Sequence, residues 1–253
     1  MKPIVQALLD LSHNLGSPER KLAILGEGNV SAAVSPSEFL VKASGSSLLA
    51  MTEKDLTLCK SEPVIGLLER KTITDPEVQE ELMNARSRTA DRMPSVEAAF
   101  HAWLLTLENI SFVGHCHPTA ANQVLCSPRA RDFAERRLFP DEVVCCGPAS
   151  VFVPYTDPGI PLAREIRERT THFIKHHEFI PRLILLQNHG IIAIGASSEA
   201  VLSSILMAAK AAEIFVGAAS LGGPNFMAQK DVDRIHARPD EHYRQRQLKL
   251  SGS

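Results

Sequence analysis

None of the five cysteines stands in a C-x-x-C pair, and Cys145 and Cys146 are adjacent, too close to bridge each other. The chain therefore carries no cysteine zinc ribbon and no dithiol redox motif, and its thiols read as reduced, as in a cytoplasm-like compartment. Excess charge is missing too: 27 basic against 29 acidic residues give a formal net charge of -2. Nothing in that balance points to nucleic acid or to an anionic membrane surface. The opening residues 1–16 lack the long apolar stretch and cleavage site of a secretory signal. Only the run from Ala200 to Leu221 has the length of a membrane span, and Lys210 and Glu213 interrupt its middle, which is costly in lipid. It reads as a buried helix of a soluble protein. Internal repeats and low-complexity tracts are absent as well.

What is present is an ordinary globular composition, 44% hydrophobic over 253 residues, enough to bury a sizeable core. Ile4, Leu8, Leu11 and Leu15 share one face of an opening helix that Gly16 ends. Residues 39–43 are strand-like, and Thr52 to Asp55 starts a turn or helix. A helix is expected from Asp75 to Thr89, and a second with Ser95 as N-cap and Val96, Phe100, Trp103, Leu104 and Leu107 as its apolar stripe. Strand character recurs at 110–117, in 142–147 (EVVCCG) and in 151–155. A helix follows at 119–127, and an amphipathic one covers 161–177. Residues 182–195 read as two buried strands joined at a tight Asn188-His189-Gly190 turn. Strands and helices mix without a linker, which predicts one α/β domain over residues 1–253, with a core at about 20–225 and a charged tail at 228–253.

The chemistry centres on Gly114-His115-Cys116-His117. On a strand, His115 and His117 share a face and Cys116 points the other way, into the core. Two imidazoles hold a metal weakly, and a catalytic zinc site usually has three protein ligands. His189, at a turn between apolar strands, is the natural third. On spacing alone the pair is as consistent with two core or surface histidines as with a metal grip. His172, His176 and His177 lie on a polar helical segment and read as solvated. His101 follows Glu97 by four residues and shares its helix face. The small-residue stretches Gly26–Ser31 and Ala43–Ser47, with Ser95, would offer donors to an anion if they converged.

Taken in order, GNVS, KASGSSL, PSVEAAFH, GHCHPTAANQV and LLQNHGIIAIG resemble the class II aldolase/adducin family, from about Gly28 to the helix after Gly195. The resemblance implies a single three-layer α/β/α domain around a central, mostly antiparallel sheet. It implies a divalent metal, zinc first and manganese, cobalt or ferrous iron as alternatives. His115, His117 and His189 would hold it, with Glu97 as ligand and catalytic acid/base. A substrate phosphate would sit on Gly28, Asn29, Ser44, Gly45 and Ser95. The implied activity is retro-aldol cleavage of a ketose 1-phosphate to dihydroxyacetone phosphate and an aldehyde, by a cytoplasmic homotetramer with sites between subunits. Family alternatives are a decarboxylase, dehydratase or epimerase on a related sugar phosphate or hydroxy acid, or a non-catalytic adducin-like module. The chain departs from the pattern at Val96, where a second hydroxyl residue is common, and at Ser44, where threonine is. Glu27 would repel a phosphate if it pointed inward. Only Tyr155 and Tyr243 could replace the family's tyrosine proton donor, and Tyr243 would need its tail to fold over the site.

Overall fold

A computed structural model describes residues 1–247; residues 248–253 of the charged tail lie outside them. In chain order its elements are α1 (Lys2–Gly16), β1 (Asn29–Ser35), β2 (Glu38–Lys42), β3 (Leu56–Lys60), α2 (Ser61–Gly66), α3 (Asp75–Asn84), α4 (Ala98–Leu104), β4 (Phe112–Cys116), α5 (Thr119–Leu125), α6 (Ala130–Glu135), α7 (Pro140–Cys146), β5 (Val151–Val153), α8 (Ile160–His177), β6 (Leu183–Leu186), β7 (Gly190–Gly195), α9 (Ser198–Ala219), α10 (Gln229–His236) and α11 (Pro239–Gln247). The strands form one seven-stranded sheet in the order β3-β2-β1-β4-β7-β6-β5. Every described pairing is antiparallel except β5 with β6.

Helices cover both faces of this sheet, so its strands are apolar on both sides. Along β6 and β7, Leu183, Leu185, Ile191 and Ala193 join a core with Leu8, Leu11 and Leu15 of α1 and Val201, Ile205 and Ala208 of α9. Their neighbours Ile184, Leu186, Ile192 and Ile194 join the opposite core with Phe100 of α4 and Leu162 and Ile166 of α8. Cys116 lies in the first core, fully buried. Helix α9 is long and apolar enough, by composition alone, to cross a membrane. In this fold its Ala200, Val201, Ile205, Ala208, Ala211 and Ala212 are buried against the sheet instead.

Register brings several strand ends to one edge. Asn29, the first residue of β1, pairs with His115 near the end of β4, and His115 pairs with Ile192 near the start of β7. Val41, one residue from the end of β2, pairs with Ser31. The loop beyond β2 returns to the same place through a bridge between Ala43 and Pro94, so the start of α4 arrives there too.

Three local expectations need correction. Residues 142–146 are not a strand but most of α7. Pro140 presets the first turn, Asp141 and Glu142 suit its positive end, and Gly147 ends it at φ 81°. A short fully apolar run reads alike in a buried strand and a buried helix. Ser95 is not the N-cap of α4: Glu97 occupies that position, and Ser95 Oγ accepts from the Glu97 N–H at 3.3 Å. Val96 is accordingly exposed rather than part of the stripe. Helix α3 stops at Asn84, short of Thr89, where the chain bends back to bridge Arg86 to Cys59 of β3. The charged tail, as far as it is described, forms α10 and α11, and Val232 is buried.

Candidate metal centre and active site

Three imidazoles meet at the sheet edge. His115 is fully buried, and its Nδ1–H donates to the Ile191 carbonyl at 2.9 Å, which fixes the ring and leaves Nε2 as a lone pair facing inward. His117, just past the strand end, is held by its backbone N–H to the Leu22 carbonyl at 2.9 Å. Its Nε2 lies 3.0 Å from His115 Nε2. His189 enters from the β6–β7 turn, where Asn188 adopts the left-handed conformation that asparagine tolerates (φ 56°). Asn122 of α5 clamps that turn by donating to the His189 carbonyl at 3.0 Å.

Glu97 closes the group. Its Oε2 lies 3.6 Å from His115 Nε2 and its Oε1 3.7 Å from His189 Nε2. Oε2 accepts from Asn29 at 2.6 Å, whereas Oε1 is buried with no hydrogen-bond partner. A buried orphan carboxylate oxygen is costly unless something electropositive meets it. Among the described residues, His115, His117 and His189 form the one group of metal-type ligands, each within 4.8 Å of the others. Ligand atoms about 2.0–2.1 Å from a tetrahedral ion lie roughly 3.3 Å apart, a spacing that the 3.0–3.7 Å separations bracket.

The electrostatics agree with that use. Burial pushes His115 down to about 3, with His189 adding to the shift. Burial likewise takes His117 down to about 4, aided by His115 and opposed by Glu27 and Glu97. His189 is lowered by burial, against the pull of Glu97. Neutral imidazoles at neutral pH keep their lone pairs free for a cation.

Two glycines make the approach geometrically feasible. A Cβ on Gly190 would stand 2.6 Å from both the Cys116 carbonyl and the His117 ring. A Cβ on Gly28, which sits at φ 70°, would stand 2.5 Å from the His115 carbonyl. The glycine after His189 is thus what lets the two strands carry their histidines together.

The expected anion-binding residues are gathered along the same edge. Asn29 bridges Glu97 and Ser95, the latter at 3.3 Å. Ser44 and Gly45 form a loop tip, with Gly45 exposed at φ 74°. Arg92 donates to the Ser44 carbonyl at 3.3 Å and pairs with Asp55. Sequence reasoning missed Lys42. It is only 3% exposed, and its ammonium donates to the Ser46 carbonyl at 2.6 Å and the Gly26 carbonyl at 3.3 Å, tying both small-residue loops together. Burial lowers its pKa, while Glu97 pulls it back up. Its place at the polar end of an apolar strand was the available signal. Glu27 does face the group, 3.7 Å from His117 Nδ1. Tyr243, exposed, rides on α11. The Gln245 side chain of that helix meets Arg182 and Val144, at the end of β6 opposite His189, so within one chain the described part of the tail packs away from the site.

The match to known proteins agrees with this geometry. Residues 6–216 fit the sequence model of the class II aldolase and adducin N-terminal domain. The chain belongs to this family. Among curated proteins it is similar to the uncharacterized oxidoreductase YuxG of Bacillus subtilis (strain 168), with 27% identity over 84% of the chain; the aligned part is 29% of YuxG's length. Among solved structures, an L-fuculose 1-phosphate aldolase superposes with a TM-score of 0.68 at 18% identity, covering 93% of this chain and 95% of that one. YgbL of Escherichia coli, assigned no more narrowly than aldolase, epimerase or decarboxylase, gives 0.70 at 17% identity, covering 93% and 99%. The N-terminal class II aldolase domain of a Thermoplasma acidophilum protein gives 0.66 at 22%, covering 84% and 93%. At these identities the superpositions speak for the fold.

Proposed function

We propose that the chain is a divalent-metal lyase that cleaves a ketose 1-phosphate by a retro-aldol reaction, releasing dihydroxyacetone phosphate and an aldehyde. The observation that carries this reading is the convergence of three neutral imidazole nitrogens on a carboxylate with one unpartnered oxygen. His115, His117 and His189 would hold the ion, zinc by preference for an imidazole set, with Glu97 able to join them. The bound ion supplies Lewis acidity at the substrate carbonyl. Glu97 moves the proton: Asn29 steadies Oε2, and Oε1 is free to accept a hydrogen and return it. Gly28, Asn29, Ser44, Gly45 and Ser95, with Lys42 behind the loops, would anchor the phosphate. Cytoplasmic location and a homotetramer with sites between subunits belong to the same proposal.

One observation favours a second reading. Glu27 brings a negative charge to the edge of the group, beside His117. That suits a decarboxylase, dehydratase or epimerase acting on a less anionic sugar or hydroxy acid.

Metal analysis and an assay of ketose 1-phosphates for dihydroxyacetone phosphate release test the first reading. Glu97→Gln should keep its ion and lose about 10²–10⁴-fold in turnover. An unimpaired rate in that variant removes the role assigned to Glu97, and release from no ketose phosphate turns the choice to the second reading.

A further inference from the structure

The hydrogen bonds behind Glu97 have one self-consistent polarity. A carboxylate accepts and cannot donate, so the Asn29 atom 2.6 Å from Glu97 Oε2 must be the amide nitrogen. Its second hydrogen faces Ser95 Oγ at 3.3 Å. The other end of the amide is then Oδ1, and it meets His101 Nε2, which must carry a proton to donate there. With that proton placed, Nδ1 of the neutral ring is an acceptor, and the Ser31 hydroxyl donates to it at 2.7 Å. Ser31 and His101 are fully buried and Asn29 nearly so, so water does not compete for these bonds.

We propose that His101 is a positioning residue: its Nε2–H tautomer, whose Nδ1 accepts from Ser31, holds the Asn29 amide with its NH2 toward Glu97. One carboxylate oxygen is thereby held and the other left free. Without a donor at position 101 the buried Oδ1 loses its partner, the amide is held from the Glu97 side alone, and Glu97 is less firmly kept where it meets His115 and His189. This inference rests on the reading of Glu97 as acid/base and ligand. The competing view is that His101 only fills the core, stacked on Phe100 with ring centroids 4.5 Å apart.

Two substitutions and one spectrum separate these views. His101→Gln keeps an N–H donor near the Nε2 position, and His101→Leu keeps bulk without it. Zinc affinity is read by competition with a chromophoric chelator, turnover on the zinc-loaded protein, and folding by thermal midpoint. His101→Leu should lose about 10–100-fold in zinc affinity and in kcat, and His101→Gln should recover most of both. Nitrogen-15 NMR of the ring in the metal-free wild-type protein should show Nε2 protonated and Nδ1 not. The opposite tautomer overturns the proposal. So does equal zinc affinity in the two folded variants. Should no ketose phosphate be turned over by the wild type, the tautomer and the zinc affinities still decide the matter, so failure of the aldolase reading is told apart from failure of this one.

Discussion

The chain has two histidine triplets in very different settings. His172, His176 and His177 stand on the last turns of α8, exposed, with the rings of His172 and His176 parallel and 6.4 Å apart. With Lys175, His176 and His177 suit the negative end of that helix. Burial lowers His177, with His176 and His172 adding to it. His115, His117 and His189 come instead from a strand end and a turn far apart in sequence, with ring centroids 4.8–5.0 Å apart; His115 is buried and the other two are half-buried. Proximity in sequence made the first triplet and left it solvated. Register between β4 and β7 made the second and took most of it out of solvent. The difference teaches that a histidine is made fit to hold a metal by desolvation, a fixed tautomer and a shared focus, none of which residue type supplies.

The contrast can be broken or sharpened experimentally. The largest effect is expected for His115→Ala, which should take the metal content from about one ion per chain to none detectable by elemental analysis and abolish activity. Full activity in that metal-free variant would leave the cluster without its role. Gly190→Ala comes next. Its Cβ would collide with the Cys116 carbonyl, which cannot yield, so a loss of about 1–3 kcal/mol in urea unfolding and weakened zinc binding are expected together.

A smaller effect lies at the loop edge. Burial alone would raise Asp55, but hydrogen bonds from Thr52 and Ser46 and the charge of Arg92 hold it below the usual range. A depressed carboxylate stabilises the fold above its unfolded value of 3.8 and loses that contribution as pH falls through the folded value. Asp55→Asn should therefore cost about 0.5–2 kcal/mol at pH 7 and progressively less on acidification below that range. A constant difference between pH 7 and pH 3 contradicts the assignment. The smallest effect belongs to α8. Replacing His172, His176 and His177 together with alanine should change stability by no more than about 0.5 kcal/mol and leave the metal content untouched.

Legibility varied with the range of the interaction. The pairing of His115 with His117 on one side of a strand, and of Cys116 on the other, followed from a period of two. The turn at Asn188 to Gly190 was readable from its residue types. Residues 142–146 were misread because four consecutive apolar side chains carry no period, and Pro140 with two acids settled the helix. Lys42 and His101 gave little local signal: a lysine ending an apolar strand and a histidine on a helix face look like ordinary neighbours of the core. Their meaning lies in partners such as Gly26, Asn29 and Ser31.

The sequence by itself determined the family, the mixed order of strands and helices, and the identities of three histidines and an acid at recognisable positions. Only the tertiary structure decided that these groups converge, that Glu97 keeps one oxygen held and one free, and that Glu27 faces His117. The physical reason is that strand period and turn chemistry are local, encoded within a few residues. Desolvation, hydrogen-bond polarity and close approach depend on atoms far apart in the chain, such as those of His115 and Ile191, 76 positions apart, which sheet register alone brings within reach.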